Sequence, residues 1–282
     1  MMCKNPYVKG NVAFGCGQCL PCRINRKRLW THRILLESLK HPVSCFITLT
    51  YSQESLPGTG SLDPKHAQDF LKRLRRAVEP QKIRFYLVGE YGSQTWRPHY
   101  HAVIFGLGAD DALVIAKAWK MGNVQVGTLT AESAAYCAGY VTKKMTSKTH
   151  PLLEGRYPEF CRMSLRPGIG AEAMQDVADL LTTQYGCLAL SDGDVPLSLK
   201  HGGRDLPLGR YLRRRLRSEL GIEEMGYQSP GLRAKAAELS DLFKKHGANT
   251  AHSKKNVLVE VNRQRVRNLE VKYKIFAKKE KI

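Results

Sequence analysis

The stretch from Arg97 to Gly106, RPHYHAVIFG, sets two histidines one residue apart at the head of an apolar run. Val103, Ile104 and Phe105 favour β-structure and Gly106 ends the run, so the segment reads as a strand. Side chains alternate across a strand. His99 and His101 therefore share a face with Val103 and Phe105, while Tyr100, Ala102 and Ile104 share the other. Two imidazoles on one sheet face either bind a divalent ion together or sit as satisfied, partly buried histidines. The rest of the chain has to choose between these readings.

The surrounding pattern extends the strand into a domain. After Pro42 comes the strand SCFITLTY, Ser44 to Tyr51, and then the loop QESLPGTGSL. Asp63-Pro64 supplies an N-cap followed by proline at the first helical position. The helix PKHAQDFLKRLRRAV puts Phe70, Leu71, Leu74 and Val78 inside and most of its cations outside. A strand KIRFYLVGE ends at Glu90, and the polar loop YGSQTWRP leads into the histidine strand. A helix around ALVIAKAWK, a short strand NVQVG and a helix TAESAAYCAGYVTKKM, capped by Thr130, complete the run. Residues 42–148 thus read βαββαβα: an α+β fold with a mostly antiparallel sheet and helices on one side.

Four segments are expected. Residues 1–41 form a cysteine-rich arm and the helix RINRKRLWTHRILLESLK, and 42–148 form the core. Residues 149–220 form an extension packing on that core, in which SLRPGIG is turn-rich, AEAMQDVADLL a helix, DGDVPLSLKHGGRDLPLG a loop or hairpin and RYLRRRLRSEL a basic helix. Residues 221–282 form a basic, largely helical tail.

Charge narrows the partner. A chain of 282 residues with 43% hydrophobic content can bury a real core, yet it carries a net charge of +20. That excess points to a polyanion, nucleic acid ahead of a membrane surface. No apolar run reaches transmembrane length and the start MMCKNPYVKG lacks a signal-peptide core, so a cytosolic protein with no membrane partner is expected. No G-x4-GK[ST] occurs, so a P-loop ATPase is not expected and unwinding would fall to a helicase of the host.

Glu90 closes the strand before the histidine strand, and the short connection implies a hairpin. Glu90 is then either a carboxylate beside two imidazoles, completing a divalent-cation site with open positions, or a solvated hairpin residue. A second constellation follows. Tyr136 and Tyr140 are four apart on a helix, with Cβ atoms ~5–6 Å apart, and Lys143 joins the same face. Tyrosines at this spacing serve as core or interface residues, or as chemistry. The lysine favours chemistry, because a cation beside a phenol stabilises the phenolate and can hold a phosphate. Together these groups suit cutting and rejoining a phosphodiester: a metal polarises the phosphate, and a tyrosine oxygen attacks to leave a covalent phosphotyrosine and a free 3′-hydroxyl. Two tyrosines permit two successive transesterifications.

Eight cysteines are present, and Cys3, Cys16, Cys19 and Cys22 crowd the amino terminus. Their C-x2-C-x2-C run with Cys3 upstream would supply a tetrathiolate zinc site, although the tight spacing makes it hard for Cys16 and Cys22 to reach one ion. An iron–sulfur cluster and reduced thiols in a basic arm are the alternatives. Cys45, Cys137, Cys161 and Cys187 are scattered and expected as small apolar residues.

The order FITLTY, GEYG with RPHYHAVIFG, then YCAGYVTKK resembles the three motifs of HUH endonucleases that initiate rolling-circle replication. The paired tyrosines and the flanking GCGQCLPCR, SLDPKHAQDFLKRLR, ESAAY and MSLRPGIG resemble, over roughly residues 1–170, the replication initiators of gokushovirus-type microviruses. The resemblance implies an origin-specific single-stranded DNA nickase and strand transferase in the host bacterial cytoplasm. It makes Glu90, His99 and His101 ligands of Mg²⁺ or Mn²⁺, Tyr136 and Tyr140 nucleophiles, and Lys143 the motif lysine. Arg97 and Lys144 are the expected DNA contacts, and the partners are phage-origin DNA with host helicase and DNA polymerase. Charge and a small α+β sheet also suit a non-catalytic DNA- or RNA-binding regulator with a zinc-binding arm. Only the nickase needs Glu90, His99, His101 and the tyrosines to converge. A zinc hydrolase is weaker, since no Asp-His pair follows closely.

Overall fold

The computed structural model describes residues 2–92, 94–139, 151–190, 194–222 and 230–279. In chain order its elements are β1 (Tyr7–Lys9), β2 (Val12–Phe14), α1 (Leu20–Ser38), β3 (Ser44–Thr50), α2 (Pro64–Ala77), β4 (Arg84–Tyr91), β5 (Pro98–Phe105), α3 (Ala112–Trp119) and β6 (Val124–Thr128). Then follow α4 (Ala131–Gly139), β7 (Phe160–Met163), α5 (Ala173–Leu181), β8 (Ser198–His201), β9 (Arg204–Pro207), α6 (Gly209–Glu219), α7 (Pro230–Lys245) and α8 (Ala251–Lys279). Two compact units divide them. A sheet unit comprises Lys27–Asp179 with Leu197–Arg215, and a cysteine unit comprises Met1–Arg26, Leu180–Pro196 and Leu216–Ile282.

The sheet unit is built on a five-stranded sheet of order β6-β3-β5-β4-β7, every neighbouring pair antiparallel. The histidine strand β5 is therefore central. On one face Ile47, Leu49, Leu87, Tyr100, Ala102 and Ile104 meet Phe70, Leu71 and Leu74 of α2 and Ile115 and Trp119 of α3. Burying each large apolar side chain contributes about 1.5–3 kcal/mol. Asp63 caps α2 by accepting from the Lys65 N–H at 2.7 Å, with Pro64 at the first position, as its sequence predicts.

The expectation of helices on one side only does not hold. On the opposite face Tyr86, Val88, Val103 and Phe105 pack with Ile34 of α1 and with Ala134, Cys137 and Ala138 of α4. The reason lies in the strands: β4 and β5 are apolar at almost every position, so neither face tolerates water. Strand β7, at the edge beside β4, is not foreshadowed by the sequence. Its four residues, FCRM, are too few to show a period.

At the end of α1 the buried Glu37 pairs with Arg84 of β4 and accepts from the Gly170 N–H at 2.6 Å. This ties the helix to the sheet and to the turn after β7. The segment expected as a loop or hairpin is a hairpin, β8–β9, with Gly202 and Gly203 at φ +55° and +73° in its turn.

In the cysteine unit the β1–β2 hairpin buries Val8 against Phe243 of α7 and against Ala248 and Leu258. The Lys254 ammonium donates to the Gly10 carbonyl at the hairpin turn (3.2 Å), and Lys4 pairs with Glu270 at 2.7 Å. Arg217 grips both oxygens of the buried Asp194 at 2.7 and 2.9 Å. Among the described residues no helix is long and apolar enough to cross a membrane. Cys45 and Cys137 are buried as expected and Cys161 is partly buried. Cys187 is exposed, contrary to its reading as an apolar residue, because it lies in a short surface turn.

Candidate functional site

The site begins with register. In the β4–β5 pairing Glu90 lies opposite His99, and in the β3–β5 pairing Thr48 lies opposite His101. Alternation then sends Glu90, His99, His101, Thr48 and Phe46 to the α4 face of the sheet. The hairpin loop before β5 is closed by the Gly92 N–H donating to the Arg97 carbonyl at 3.1 Å and the Trp96 N–H to the Gly92 carbonyl at 3.0 Å. The resulting carboxylate–imidazole cluster keeps one donor atom from each of Glu90, His99 and His101 within 4.8 Å of the others. Glu90 and His101 are buried and His99 is half-buried.

The hydrogen bonds test whether this cluster fits a cation. The His99 Nδ1 lies 3.1 Å from the Arg97 carbonyl oxygen, which can only accept, so the ring proton sits on Nδ1. In the neutral ring Nε2 is then a lone pair, and it faces Glu90 Oε1 at 2.8 Å. His101 is oriented in the same sense, its Nδ1 2.9 Å from Thr48 Oγ1 and its Nε2 3.0 Å from the same Glu90 oxygen. Lone pairs aimed at a buried carboxylate repel unless a positive charge intervenes, either an imidazolium proton or a metal ion. Neighbouring ligands of an octahedral ion at ~2.1 Å stand ~3 Å apart, which the two separations match. Outer partners that lock ring orientation, here the Arg97 carbonyl and Thr48, are the usual supports of metal-binding histidines. The residues present fit a divalent cation held by two nitrogens and a carboxylate.

Helix α4 delivers the next group. Thr130 and Ser133 cap it reciprocally, the Ser133 N–H donating to Thr130 Oγ1 at 3.2 Å and the Thr130 N–H to Ser133 Oγ at 2.8 Å. Ala134, Cys137 and Ala138 face the sheet, which leaves Tyr136 at the border between core and solvent, 47% exposed. Its ring stands edge-on to His101, with centroids 5.0 Å apart at 87°, and edge-on to Phe46 at 6.1 Å. Phe46 also stacks on His101 at 5.5 Å. A tyrosine remote in sequence is thus packed directly on the imidazole pair. Cys137, beneath, has its thiol pushed far up by burial, with Cys161 and the Glu90 carboxylate adding to the effect, so it is an inert filler.

Of the other expected residues, Tyr140, Lys143 and Lys144 lie outside the described residues. Arg97 is used structurally: its guanidinium donates to the Tyr51 carbonyl at 2.8 Å and to Gln53 at 3.1 Å, and its own carbonyl holds His99. Two contributors escape the sequence reading. Thr48 is detectable only as the same-face neighbour across β3. Lys27, whose side chain lies against Gly139 at the end of α4, carries no local signal.

These features define a replication protein. Residues 44–145, from the first residue of β3 to beyond α4, match the family model for the replication-associated protein ORF2. The chain belongs to the phage replication-associated proteins, the rolling-circle replication initiators of microvirus type. It is 31% identical over 241 residues to replication-associated protein ORF2 of Spiroplasma virus 4, an overlap covering 77% of this chain and 71% of that one. It is 34% identical over 157 residues to replication-associated protein VP4 of Bdellovibrio phage phiMH2K, covering 48% of this chain and 50% of that one. Replication-associated protein ORF4 of Chlamydia phage 1 is 32% identical over 151 residues, 46% and 38% of the two chains. No solved structure matches the chain.

Proposed function

We propose that this protein is an HUH-type, origin-specific endonuclease and strand transferase that starts and ends rolling-circle replication of a phage genome. The observation that carries the reading is Tyr136 standing edge-on to His101 at 5.0 Å, beside the convergent donors of Glu90, His99 and His101, in a chain of this family. Glu90, His99 and His101 hold Mg²⁺ or Mn²⁺, a choice suited to mixed nitrogen and oxygen donors. The bound cation supplies Lewis acidity toward the scissile phosphate.

The tyrosine oxygen attacks phosphorus. A bond forms between phosphorus and the phenol oxygen as the bond to the 3′-oxygen breaks, and that oxygen leaves protonated as a free hydroxyl. The phosphotyrosine keeps a reactive ester, so the reverse attack rejoins strands without ATP. Tyr140 is the second nucleophile, and Lys143 favours the phenolate and steadies the phosphate. Lys144 contacts DNA phosphates, and Arg97 does so from the loop whose carbonyl orients His99. In this scheme 42–148 is the nickase core, 1–41 the cysteine-rich arm, 149–220 an extension and 221–282 a basic tail. A host helicase and DNA polymerase act with it in the host bacterial cytoplasm, with no membrane partner.

The test mixes the protein with the labelled single-stranded genome of its phage and Mn²⁺, then separates the products under denaturing conditions. The expected result is a protein–DNA adduct at one genomic position that survives denaturant. Wild-type protein that binds the strand yet never yields an adduct overturns the reading.

A further inference from the structure

The amino-terminal cysteines do not enter the phosphodiester chemistry, and the structure gathers them. The Sγ atoms of Cys3, Cys16, Cys19 and Cys22 all lie within 4.8 Å of one another. The difficulty of bringing Cys16 and Cys22 to one point is resolved by the backbone. Gly17 sits at φ +74°, in the left-handed region, which folds CGQC into a tight turn. Helix α1 starts directly after Cys19, whose carbonyl accepts from the Arg23 N–H at 3.0 Å, so Cys22 falls in its first turn.

We propose that Cys3, Cys16, Cys19 and Cys22 are the four thiolate ligands of one structural zinc ion that staples the amino-terminal hairpin to the start of α1. A tetrahedral ion bound at ~2.3 Å to each thiolate holds sulfurs ~3.8 Å apart. The Cys3 and Cys19 sulfurs are 3.8 Å apart. A disulfide is shorter, ~2.05 Å between sulfurs. An iron–sulfur cluster interposes several irons and sulfides and so needs its thiolates spread wider than a single ion does.

The backbone is arranged for sulfur that carries charge. The Cys16 N–H donates to Cys3 Sγ at 3.3 Å, the Cys19 N–H to Cys16 Sγ at 3.3 Å and the Lys4 N–H to Cys19 Sγ at 3.5 Å. Such donors stabilise thiolates and orient them, as the outer hydrogen bonds of metal sites do. Cys22, in the first turn of α1, also lies at the positive end of the helix dipole.

The unit also needs a staple. Its described core cluster has Val8, Phe243, Ala248 and Leu258 as its buried members, a small apolar nucleus to order the three-residue strands β1 and β2. Zinc binding releases the thiol protons and contributes its free energy directly to folding.

This proposal is independent of the nickase reading, and its test keeps the two apart. Full-length protein purified without oxygen should carry about one tightly held zinc per chain. The His99→Ala/His101→Ala variant should retain that zinc in full. Replacement by Co²⁺ should give the absorption of a tetrahedral tetrathiolate, with thiolate-to-cobalt charge-transfer bands, a readout that needs no variant to fold. The Cys16→Ser/Cys19→Ser variant should lose both the zinc and the bands. Chelation should raise hydrogen exchange in β1, β2 and the first turn of α1 while β3–β5 keep their protection. Iron with labile sulfide, disulfides among these cysteines, free thiols with no metal, or zinc that leaves with the histidines each overturn the proposal.

Discussion

Glu90 stands opposite His99 across the β4–β5 pair, and one of its carboxylate oxygens lies 2.8 Å from that ring's Nε2 and 3.0 Å from His101 Nε2. A single buried oxygen between two imidazoles, each oriented through its far nitrogen, calls for a cation. Tyr136 then becomes the residue that reports what the cation is for, because it packs on His101 while keeping about half its surface in solvent.

Replacing either histidine should separate chemistry from binding. His99→Ala or His101→Ala is expected to slow nicking by about a hundredfold or more, the effect of removing metal polarisation. Affinity for single-stranded DNA should stay within about threefold, since phosphate contacts from Lys and Arg supply most of it. Denaturing gels and fluorescence anisotropy on the same preparations measure the two quantities. Undiminished nicking by the double variant at saturating Mn²⁺ would remove the metal assignment.

The two tyrosines should divide labour. While one holds the 5′ end, the regenerated origin must be cut by another nucleophile, and the new 3′-hydroxyl then closes the circle by attacking the first phosphotyrosine. Tyr136→Phe and Tyr140→Phe should each still form an adduct on a short oligonucleotide, less efficiently, and neither should close circles through repeated rounds. The double variant should form no adduct. Phenylalanine keeps the ring that packs on Phe46 and His101, so lost activity reports the hydroxyl. Wild-type circle production by Tyr136→Phe would mean that Tyr140 works alone.

Gly89 links stability to the site. A Cβ at this position would meet the Phe160 ring at 2.8 Å and Leu62 at 3.2 Å. Gly89→Ala should therefore destabilise the sheet unit by about 1–3 kcal/mol through overpacking. Because Glu90 is the next residue, Mn²⁺ affinity should fall with it. Thermal unfolding and metal titration check both; an unchanged midpoint would show that Phe160 yields freely.

Glu37 gives the pH dependence. Burial raises its carboxyl pKa, but hydrogen bonds from His41, the Gly170 N–H and Arg84 outweigh burial and hold it below the ordinary 4.5. A carboxyl depressed in the folded state binds its proton more readily unfolded. Its stabilisation is thus fully present above the ordinary value and is lost as pH falls through the folded one. Glu37→Gln should cost about 3 kcal/mol at neutral pH by leaving Arg84 buried without its charge partner. The gap from wild type should close in acid. A gap that is constant from neutral to acid pH would contradict the assignment.

Much of the sheet unit is legible in the sequence because its signals are short-range. Asp63-Pro64 and Thr130 mark helix starts by the chemistry of their own side chains, and both caps form where the residues place them. The alternation of β5 puts His99 and His101 on one face whatever its partner strands are. The short connection from Glu90 implies the hairpin whose register sets Glu90 against His99. The exposure of Cys187 and the strand β7 are not legible, because a turn and a four-residue strand carry too little pattern.

The sequence by itself determined which residues carry chemistry and which elements hold them, since strand period, helix period and caps act over a few neighbouring positions. Only the tertiary structure decided which of those residues meet. Strand β5 is inserted between β3 and β4, which brings Thr48 to His101 across 53 residues of chain. Packing of Ala134 and Cys137 on the second sheet face sets Tyr136 on His101. The turn at Gly17 brings Cys16, Cys19 and Cys22 to Cys3. Such meetings depend on which apolar surfaces exclude water from one another, and that is a property of the whole packed chain rather than of any local run.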